Sequence, residues 1–234
     1  SVACTETAAL DRDAVLAIES RCRALGLTTY MMTLAHVQVV VARFSGQNDF
    51  AIGTPVAGRS QNRALENVIG LFVNTVVIRS AIQSVEADVA SPEALDAFYA
   101  RVRSSVLAAF SHQDMPFDRL VTLLAVERDV GRTPLFQAFF SANATLAADE
   151  AGDAADSGAP SIFSQPLPLA AAGVRFDLTV GLDLAPEGAL QLAVQTKRPV
   201  ASLAAMPARM CDALVHASRS SFEPVSAMDR DTVC

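Results

Sequence analysis

Apolar residues at helical spacing mark the first predicted element of the chain. After Asp11 they recur at three- and four-residue steps, and a glycine follows where the left-handed end of a helix belongs. The apolar positions are Val15, Ile18, Cys22 and Leu25, and the glycine is Gly26. We therefore expect a helix over residues 10–26, with Cys22 as a buried, reduced thiol.

A second helix is expected to start at a capping residue, Thr28 or Thr29, and to run to about residues 44–46. Its apolar residues lie all round the helix rather than along one stripe, which is typical of a helix buried on several sides. His36 lies inside this pattern. We expect it to be a hydrogen-bonded structural histidine, because a buried polar group needs partners.

Strand and helix patterns alternate through the rest of the chain. Alternating or β-branched runs predict strands at residues 49–56, 68–79, 134–143, 176–184 and 189–196, the last two as a hairpin. Helices are predicted at residues 92–110 after the cap Ser91, at 114–124, and at 200–218, with Pro207 on the exposed face or at a kink. Residues 145–160 are expected to form a flexible acidic loop. This order predicts an α/β fold, a layered mixed β-sheet with packed helices.

Composition excludes several classes of protein. A net charge of −7 argues against a nucleic-acid surface, which needs clustered positive charge. No apolar run is long enough for a membrane span, and the chain starts without a leader-like segment or a Met, so we expect a cytoplasmic piece of a longer polypeptide. Four scattered cysteines and three separate histidines predict neither a disulfide scaffold nor a metal site. His216 is expected to complement the end of the last helix.

Three motifs resemble signatures of the condensation domains of non-ribosomal peptide synthetases. Residues 69–75 read Ile-Gly-Leu-Phe-Val-Asn-Thr, similar to the family's Ile-Gly-x-Phe-Val-Asn-Thr. Residues 112–118 read His-Gln-Asp-Met-Pro-Phe-Asp, where the family has His-Gln-Asp-x-Pro-Phe-Glu. Residues 128–135 read Arg-Asp-Val-Gly-Arg-Thr-Pro-Leu, which resembles Arg-Asp-x-Ser-Arg-Asn-Pro-Leu. Shorter matches at residues 44–47, 53–59 and 176–179 follow the same order, whereas residues 195–203 depart from the family pattern.

The resemblance implies one half of a domain with the chloramphenicol acetyltransferase-like fold, in which two lobes enclose a tunnel. Donor and acceptor peptidyl carrier proteins bring substrates on phosphopantetheine, and the donor thioester and acceptor amine form an amide; no cofactor binds the domain directly. The family's catalytic histidine lies in a His-His-x-x-x-Asp-Gly motif of the amino-terminal lobe, and this sequence has no adjacent histidines. Residues 1–234 are therefore expected to be the carboxy-terminal lobe alone, inactive by itself.

The resemblance also supplies candidate site residues, none of them catalytic. Candidates for the substrate tunnel or the interlobe cleft are Gly70, Asn74, Thr75, His112 and Asp114. Residues expected to hold the motifs in shape are Pro116, Phe117, Arg128, Asp129 and Arg132. Asn74 either faces the tunnel or bonds to neighbouring backbone. Asp114 is expected to cap the following helix, His112 to orient the same turn or line the cleft, and the motif at residues 128–132 to form an ion-pair network.

Two other functions stay open at this point. The chain could belong to a condensation-like domain that has lost catalysis and docks a carrier protein or a partner enzyme. It could also belong to an epimerisation or cyclisation relative, although the intact motifs at residues 69–75 and 112–118 favour ordinary condensation. In each case a lobe separated from its partner lobe is expected to expose apolar surface and to self-associate.

Overall fold

The computed structural model describes residues 4–59, 63–65, 68–126, 129, 131–143, 174–184, 189–197 and 205–218. Within these ranges the strands are β1 (Cys4–Leu10), β2 (Ala51–Val56), β3 (Asn74–Arg79), β4 (Ala138–Asn143), β5 (Leu178–Leu184) and β6 (Leu190–Thr196). The helices are α1 (Arg12–Leu25), α2 (Thr29–Ser45), α3 (Val85–Asp88), α4 (Pro92–Ser111), α5 (Phe117–Leu123) and α6 (Met206–Ser218), with a 3-10 turn at Arg63–Leu65.

The described strands form one mixed sheet in the order β1-β6-β5-β4-β2-β3. Strands β2, β4 and β5 are parallel neighbours, whereas β3 and β6 run antiparallel to the strands beside them. Helices α1, α2, α4 and α6 pack together and supply most of the apolar core with one face of the sheet. This arrangement confirms the predicted layered α/β class.

Helix α2 is the centre of the core, as its all-round apolar pattern predicts. Every residue from Met31 to Val40 is buried. The hydroxyl of Thr28 caps the helix by accepting a hydrogen bond from the backbone N–H of Met31, and Gly46 ends it with a φ of 67°. Both caps lie at exposed ends of the helix, where they satisfy backbone groups that have no partner within the helix.

The caps predicted for α1 and α4 are also present. Asp11 accepts from the backbone N–H of Ala14 at the start of α1, and Gly26 ends that helix with a φ of 64°. Ser91 caps α4, with Pro92 in its first turn. Side chains at helical spacing then bury one stripe of α4 in the core; they are Phe98, Tyr99, Val102 and Val106.

An aromatic cluster fills the side of the sheet opposite the core residue Ile52. Because successive strand residues point to opposite faces, the neighbouring Gly53 faces away from the helices. A Cβ on Gly53 would lie 2.3 Å from the ring of Phe136, so only glycine leaves room for that ring. Phe136 in turn lies 5.4 Å from Phe176 and 6.2 Å from Phe139, ring centre to ring centre.

Several predicted boundaries are wrong. Strand β1 and the short helix α3 were not expected from the sequence. The predicted strand at residues 68–79 is a strand only from Asn74, and the one at 134–143 only from Ala138. Pro207 is buried in the first turn of α6 rather than exposed or at a kink, and it fits there because first-turn N–H groups need no helical acceptor. The predicted acidic loop at residues 145–160 lies outside the described residues.

No single described helix is long and apolar enough to cross a bilayer, although α1 and α2, bent by 96° at their junction, meet that criterion as a pair. Across the described part of the chain, no three His, Cys, Asp or Glu side chains come together as a group able to hold a metal ion.

Candidate functional site

Asn74, the first residue of β3, fastens the chain segment that links α4 to α5. Its Nδ2 donates to the carbonyl oxygens of Gln113 and Met115, each at 2.8 Å. Its Oδ1 accepts from the backbone N–H of Phe117 at 3.2 Å. An amide offers two N–H donors and one carbonyl oxygen, so both of its groups are engaged by this one turn. We call this set of three bonds the Asn74 clasp.

The clasp corrects the prediction that Asp114 caps helix α5. The helix begins at Phe117, one residue after Pro116, which makes no side-chain cap bond. Asn74 instead satisfies the backbone N–H of Phe117 from a strand 43 residues earlier. The side chain of Asp114 is exposed. A cap is usually sought within a few residues of a helix start, and that is why the local sequence pointed to the wrong residue.

The other tunnel candidates lie around the clasp but do not form a cluster of reactive groups. Thr75 follows Asn74 and pairs with Pro55 across β2 and β3. His112 ends α4 with an exposed side chain, and its carbonyl accepts from the N–H of Met115 at 3.0 Å. Gly70 is exposed, four residues before the clasp. They belong to two chain segments, and the clasp joins the turn after His112 to β3.

The residues expected to hold the motifs in shape divide into two groups. Phe117 places its ring 5.6 Å from Phe136 and so joins the clasp to the aromatic cluster. Arg128 lies outside the described residues. Asp129 accepts from the backbone N–H of Gly131 at 2.8 Å, and no ion pair joins it to Arg132 among the residues described. A turn bond holds the described part of this stretch, and the part of the predicted network that involves Arg128 stays a prediction.

Arg59 organises the segment before β3, and the sequence reasoning missed it. One guanidinium nitrogen, Nη1, donates to the carbonyl oxygen of Leu65 at 2.7 Å and to that of Val68. The other, Nη2, donates to the carbonyl oxygen of Gly70 at 2.8 Å, and the group lies 4.5 Å from the ring centre of Phe72. Arg59 closes the motif at residues 53–59, but nothing in the local sequence indicates that its guanidinium binds carbonyl oxygens 6 to 11 residues later.

The segment that Arg59 holds presents apolar side chains to solvent. Ile69 is fully exposed, Leu71 is 91% exposed and Val73 is 58% exposed. We call these three residues the apolar ridge. Leu123 and Leu124, at the end of α5, are more than half exposed as well. Large apolar groups held in solvent by a fixed backbone are typical of a surface that contacts another protein.

Three side chains in the core have pKa values shifted mainly by burial. Burial lowers the pKa of His36, whose Nδ1 lies 2.9 Å from the carbonyl oxygen of Met32. Burial raises the pKa of Cys22 to about 11 and that of Tyr30 to about 12. The predictions of a structural His36 and a buried Cys22 thiol are confirmed.

Comparison with known proteins shows which family has a sequence similar to that of this chain. A family model described as the condensation domain matches residues 2–200. Tyrocidine synthase 3 of Brevibacillus parabrevis is 43% identical over 116 residues, which cover 50% of this chain and 2% of that protein. Gramicidin S synthase 2 of Brevibacillus brevis is 40% identical over 116 residues, with the same coverage of 50% and 2%. The chain thus spans only a small part of these curated relatives.

Solved structures share the fold over nearly the whole chain. The complex of the X-domain and OxyB from teicoplanin biosynthesis has a TM-score of 0.77 at 20% identity, with 97% of this chain and 48% of that chain covered. The condensation domain from the Monacolin K polyketide synthase MokA has a TM-score of 0.68 at 22% identity, covering 97% and 49%. The chain is thus about half the length of the solved domains that it resembles.

The matched stretch contains the surface described above. Both Arg59 and Asn74 fall within residues 2–200, as do the turn at residues 112–117 and all six strands of the sheet. The sequence motifs, the mixed sheet and the family match agree with one another. This chain belongs to the condensation domain family.

Proposed function

We propose that this chain is the carboxy-terminal lobe of a peptide-synthetase condensation domain that joins a carrier-bound thioester donor to a carrier-bound amine acceptor. The observation that carries the proposal is the combination of two findings. The condensation model matches residues 2–200, while the chain covers only 48–49% of solved structures with the same fold. A second lobe of similar size supplies the remainder.

The chemistry defines what each lobe contributes. The acceptor amine attacks the donor thioester carbon, the amide C–N bond forms, and the phosphopantetheine thiolate leaves as the amine loses its proton. A positioned base speeds this step because the amine must be deprotonated as it attacks. The sequence of this chain has three histidines and none of them are adjacent, so the paired-histidine motif belongs to the amino-terminal lobe in this scheme.

This lobe contributes a wall of the tunnel. In the proposal Gly70, Asn74 and Thr75 border the substrate path, and His112 and Asp114 lie at its margin. The Asn74 clasp supports this role, because it fixes the position of the turn at residues 113–117 relative to β3. A fixed wall keeps water out and holds the reacting groups in register, which lowers the entropic part of the barrier.

A single-turnover assay tests the proposal. Carrier proteins loaded with aminoacyl thioesters are mixed with this chain alone, and with the chain joined to its amino-terminal lobe, hereafter the two-lobe protein. We expect dipeptide only from the two-lobe protein, and a variant of its paired-histidine motif as a control should lose the product. Product from the chain alone above the no-enzyme rate would contradict the division of roles.

A second candidate is docking without catalysis. The apolar ridge favours it, since exposed apolar side chains suit a protein contact whether or not chemistry follows. A solved neighbour, the X-domain, is described in complex with OxyB, so the fold accommodates partner binding in that protein. An amino-terminal lobe without the paired histidines, with intact binding of carrier or partner protein, would favour docking over condensation.

A further inference from the structure

We propose that Arg59 is a positioning residue for the condensation reaction, because it holds the backbone before β3 in the path that presents the apolar ridge and Asn74 together. This inference rests on the proposed function. Arg59 does not touch the reacting groups in this scheme. It acts through the segment that leads into the Asn74 clasp.

The first step of the argument is the reach of one side chain. The guanidinium of Arg59 bonds to three carbonyl oxygens, on Leu65, Val68 and Gly70, along six residues of chain. Its planar fork carries five N–H donors in fixed directions, so it can hold several acceptors at once. A lysine ammonium is a compact point charge on a flexible stem and cannot hold the same three oxygens in the same geometry.

The second step is that the described residues of the segment make few other bonds, one of them from the backbone N–H of Val68 to the carbonyl oxygen of Leu65 at 3.2 Å. The side chains of the apolar ridge are exposed, and therefore they gain little packing energy within this chain. Residues 68–73 form no strand ladder, since β3 begins only at Asn74. Backbone without a strand ladder and with mostly exposed side chains depends strongly on side-chain bonds such as those that Arg59 donates.

The third step is a close backbone approach beside the guanidinium. Gly58 has a φ of 66°, and a Cβ there would lie 2.1 Å from the carbonyl oxygen of Phe72. The turn at residues 58–59 thus lies directly against the backbone of Phe72, while the Arg59 guanidinium lies 4.5 Å from the Phe72 ring centre. Two contacts from neighbouring residues fix the chain two positions before Asn74.

The fourth step separates a positioning role from a purely structural one. The bonds from Arg59 to Val68 and Gly70 are exposed, so water can replace them at little cost in folding free energy. Loss of Arg59 should therefore loosen the segment without unfolding the lobe. The consequence would be seen in the order of residues 65–73 and in the reaction rate.

The test compares Arg59→Ala and Arg59→Lys with a matched control, Arg12→Ala, in the two-lobe protein. Arg12 is an exposed arginine at the start of α1 and belongs to neither the ridge nor the clasp. Peptide-resolved hydrogen exchange reports the order of residues 65–73, thermal melting reports stability, and single-turnover dipeptide formation reports the reaction.

In both Arg59 variants we expect the backbone amide hydrogens of residues 65–73 to exchange about tenfold faster than in the control. The melting temperature should be nearly unchanged. Dipeptide formation at saturating carrier concentration should slow about tenfold, because misplacement of a tunnel wall affects the chemical step. Unchanged exchange, unchanged rate, or full rescue by lysine would each overturn the proposal. If the unmodified two-lobe protein forms no dipeptide, the proposed function is wrong. The positioning role in condensation is then wrong as well, even if hydrogen exchange shows that Arg59 orders the segment.

Discussion

The helix layer and the surface around Asn74 hold their backbone in opposite ways. In the helix layer, buried apolar side chains such as Met32, Phe98 and Val102 stabilise the packing, and capping residues close the helix ends. Around Asn74 the side chains of Arg59 and Asn74 hold the backbone through hydrogen bonds, and the side chains of the apolar ridge are exposed. The first region is a packed core, whereas the second exposes apolar side chains of the kind found where proteins contact each other.

The two regions also differ in how much each side chain stabilises the fold. A fully buried large apolar side chain contributes about 1.5–3 kcal/mol relative to an exposed one. A typical hydrogen bond contributes only about 0.5–1.5 kcal/mol net, because water competes for the same groups. Changes in the helix layer should therefore appear mainly as lost stability, and changes around Asn74 as lost order or function.

The largest expected effect comes from truncating one side chain in each region. Phe140 is fully buried and packs 5.0 Å from the Tyr30 ring, so Phe140→Ala should lower the free energy of unfolding by about 3–5 kcal/mol. Leu71→Ala, at a side chain 91% exposed, should change it by less than about 0.5 kcal/mol. Urea unfolding of the chain followed by circular dichroism measures both.

The same pair of variants can break the comparison. A destabilisation by Leu71→Ala close to that of Phe140→Ala would mean that the ridge packs within the chain, contrary to its exposure. A further readout is self-association, because replacing exposed apolar groups should weaken it. Light scattering of the chain carrying Leu71→Ala should then report smaller particles than the unmodified chain.

An intermediate effect is expected at the Asn74 clasp. Asn74→Ala removes all three bonds and should lower the unfolding free energy by about 1–3 kcal/mol. Asn74→Asp keeps the acceptor for the Phe117 N–H but cannot donate to Gln113 and Met115. If the two bonds that Nδ2 donates stabilise the fold most, both variants are destabilised. If the Asn74→Asp variant is as stable as the unmodified chain, the clasp stabilises the fold only through the bond to the Phe117 N–H at the start of α5. Thermal melting and single-turnover rates on the two-lobe protein separate stability from catalysis.

The smallest expected effect is a pH dependence that belongs to the helix layer. Burial lowers the pKa of His36, so the folded state binds this proton less readily than the unfolded chain, whose histidines titrate near pH ~6.5. The stability from neutral His36 is therefore complete above about pH 6.5 and decreases as the pH falls, by at most about 1.4 kcal/mol per pH unit.

Unfolding measured from pH 7.5 to 5.5 tests this dependence, and His36→Gln serves as the comparison. The variant should lose the part of the slope that His36 causes, although its stability at pH 7.5 will be lower if Gln cannot reach the carbonyl of Met32. Equal slopes for the two proteins would show that His36 does not titrate differently in the folded and unfolded states.

The comparison also explains which parts of the fold the sequence predicts. Capping residues and apolar spacing act over three or four positions, so Asp11, Thr28 and Ser91 could be read directly as helix starts. Strand β1 was missed because its residues, mostly Thr and Ala with one Glu, lack the β-branched apolar run of an inner strand. Its partner β6 lies at the other end of the sequence. Edge strands are commonly short of such signals.

The candidate site was only partly predictable for a related reason. Asn74 drew attention because a lone amide in an apolar run needs partners, but those partners lie 39 to 43 residues away. The apolar run at residues 68–73 predicted a strand, because the pattern of apolar side chains is typical of one. That pattern does not show that the carbonyl oxygens of Val68 and Gly70 bind the Arg59 guanidinium. Arg59 could be found only once the chain was folded around it.

The pairing of β1 with β6 has a consequence for how the sheet forms during synthesis. Leu10 pairs with Leu190, so among the described strands the first to be synthesised must wait for the last. At about 5–20 residues per second, the 180 residues from one to the other take on the order of 10–40 s to synthesise. Closing so long a loop is also slow in refolding, since non-local pairs raise the contact order. During that interval β1 lacks its partner strand β6, and a chaperone that shields β1 would raise the yield of folded protein.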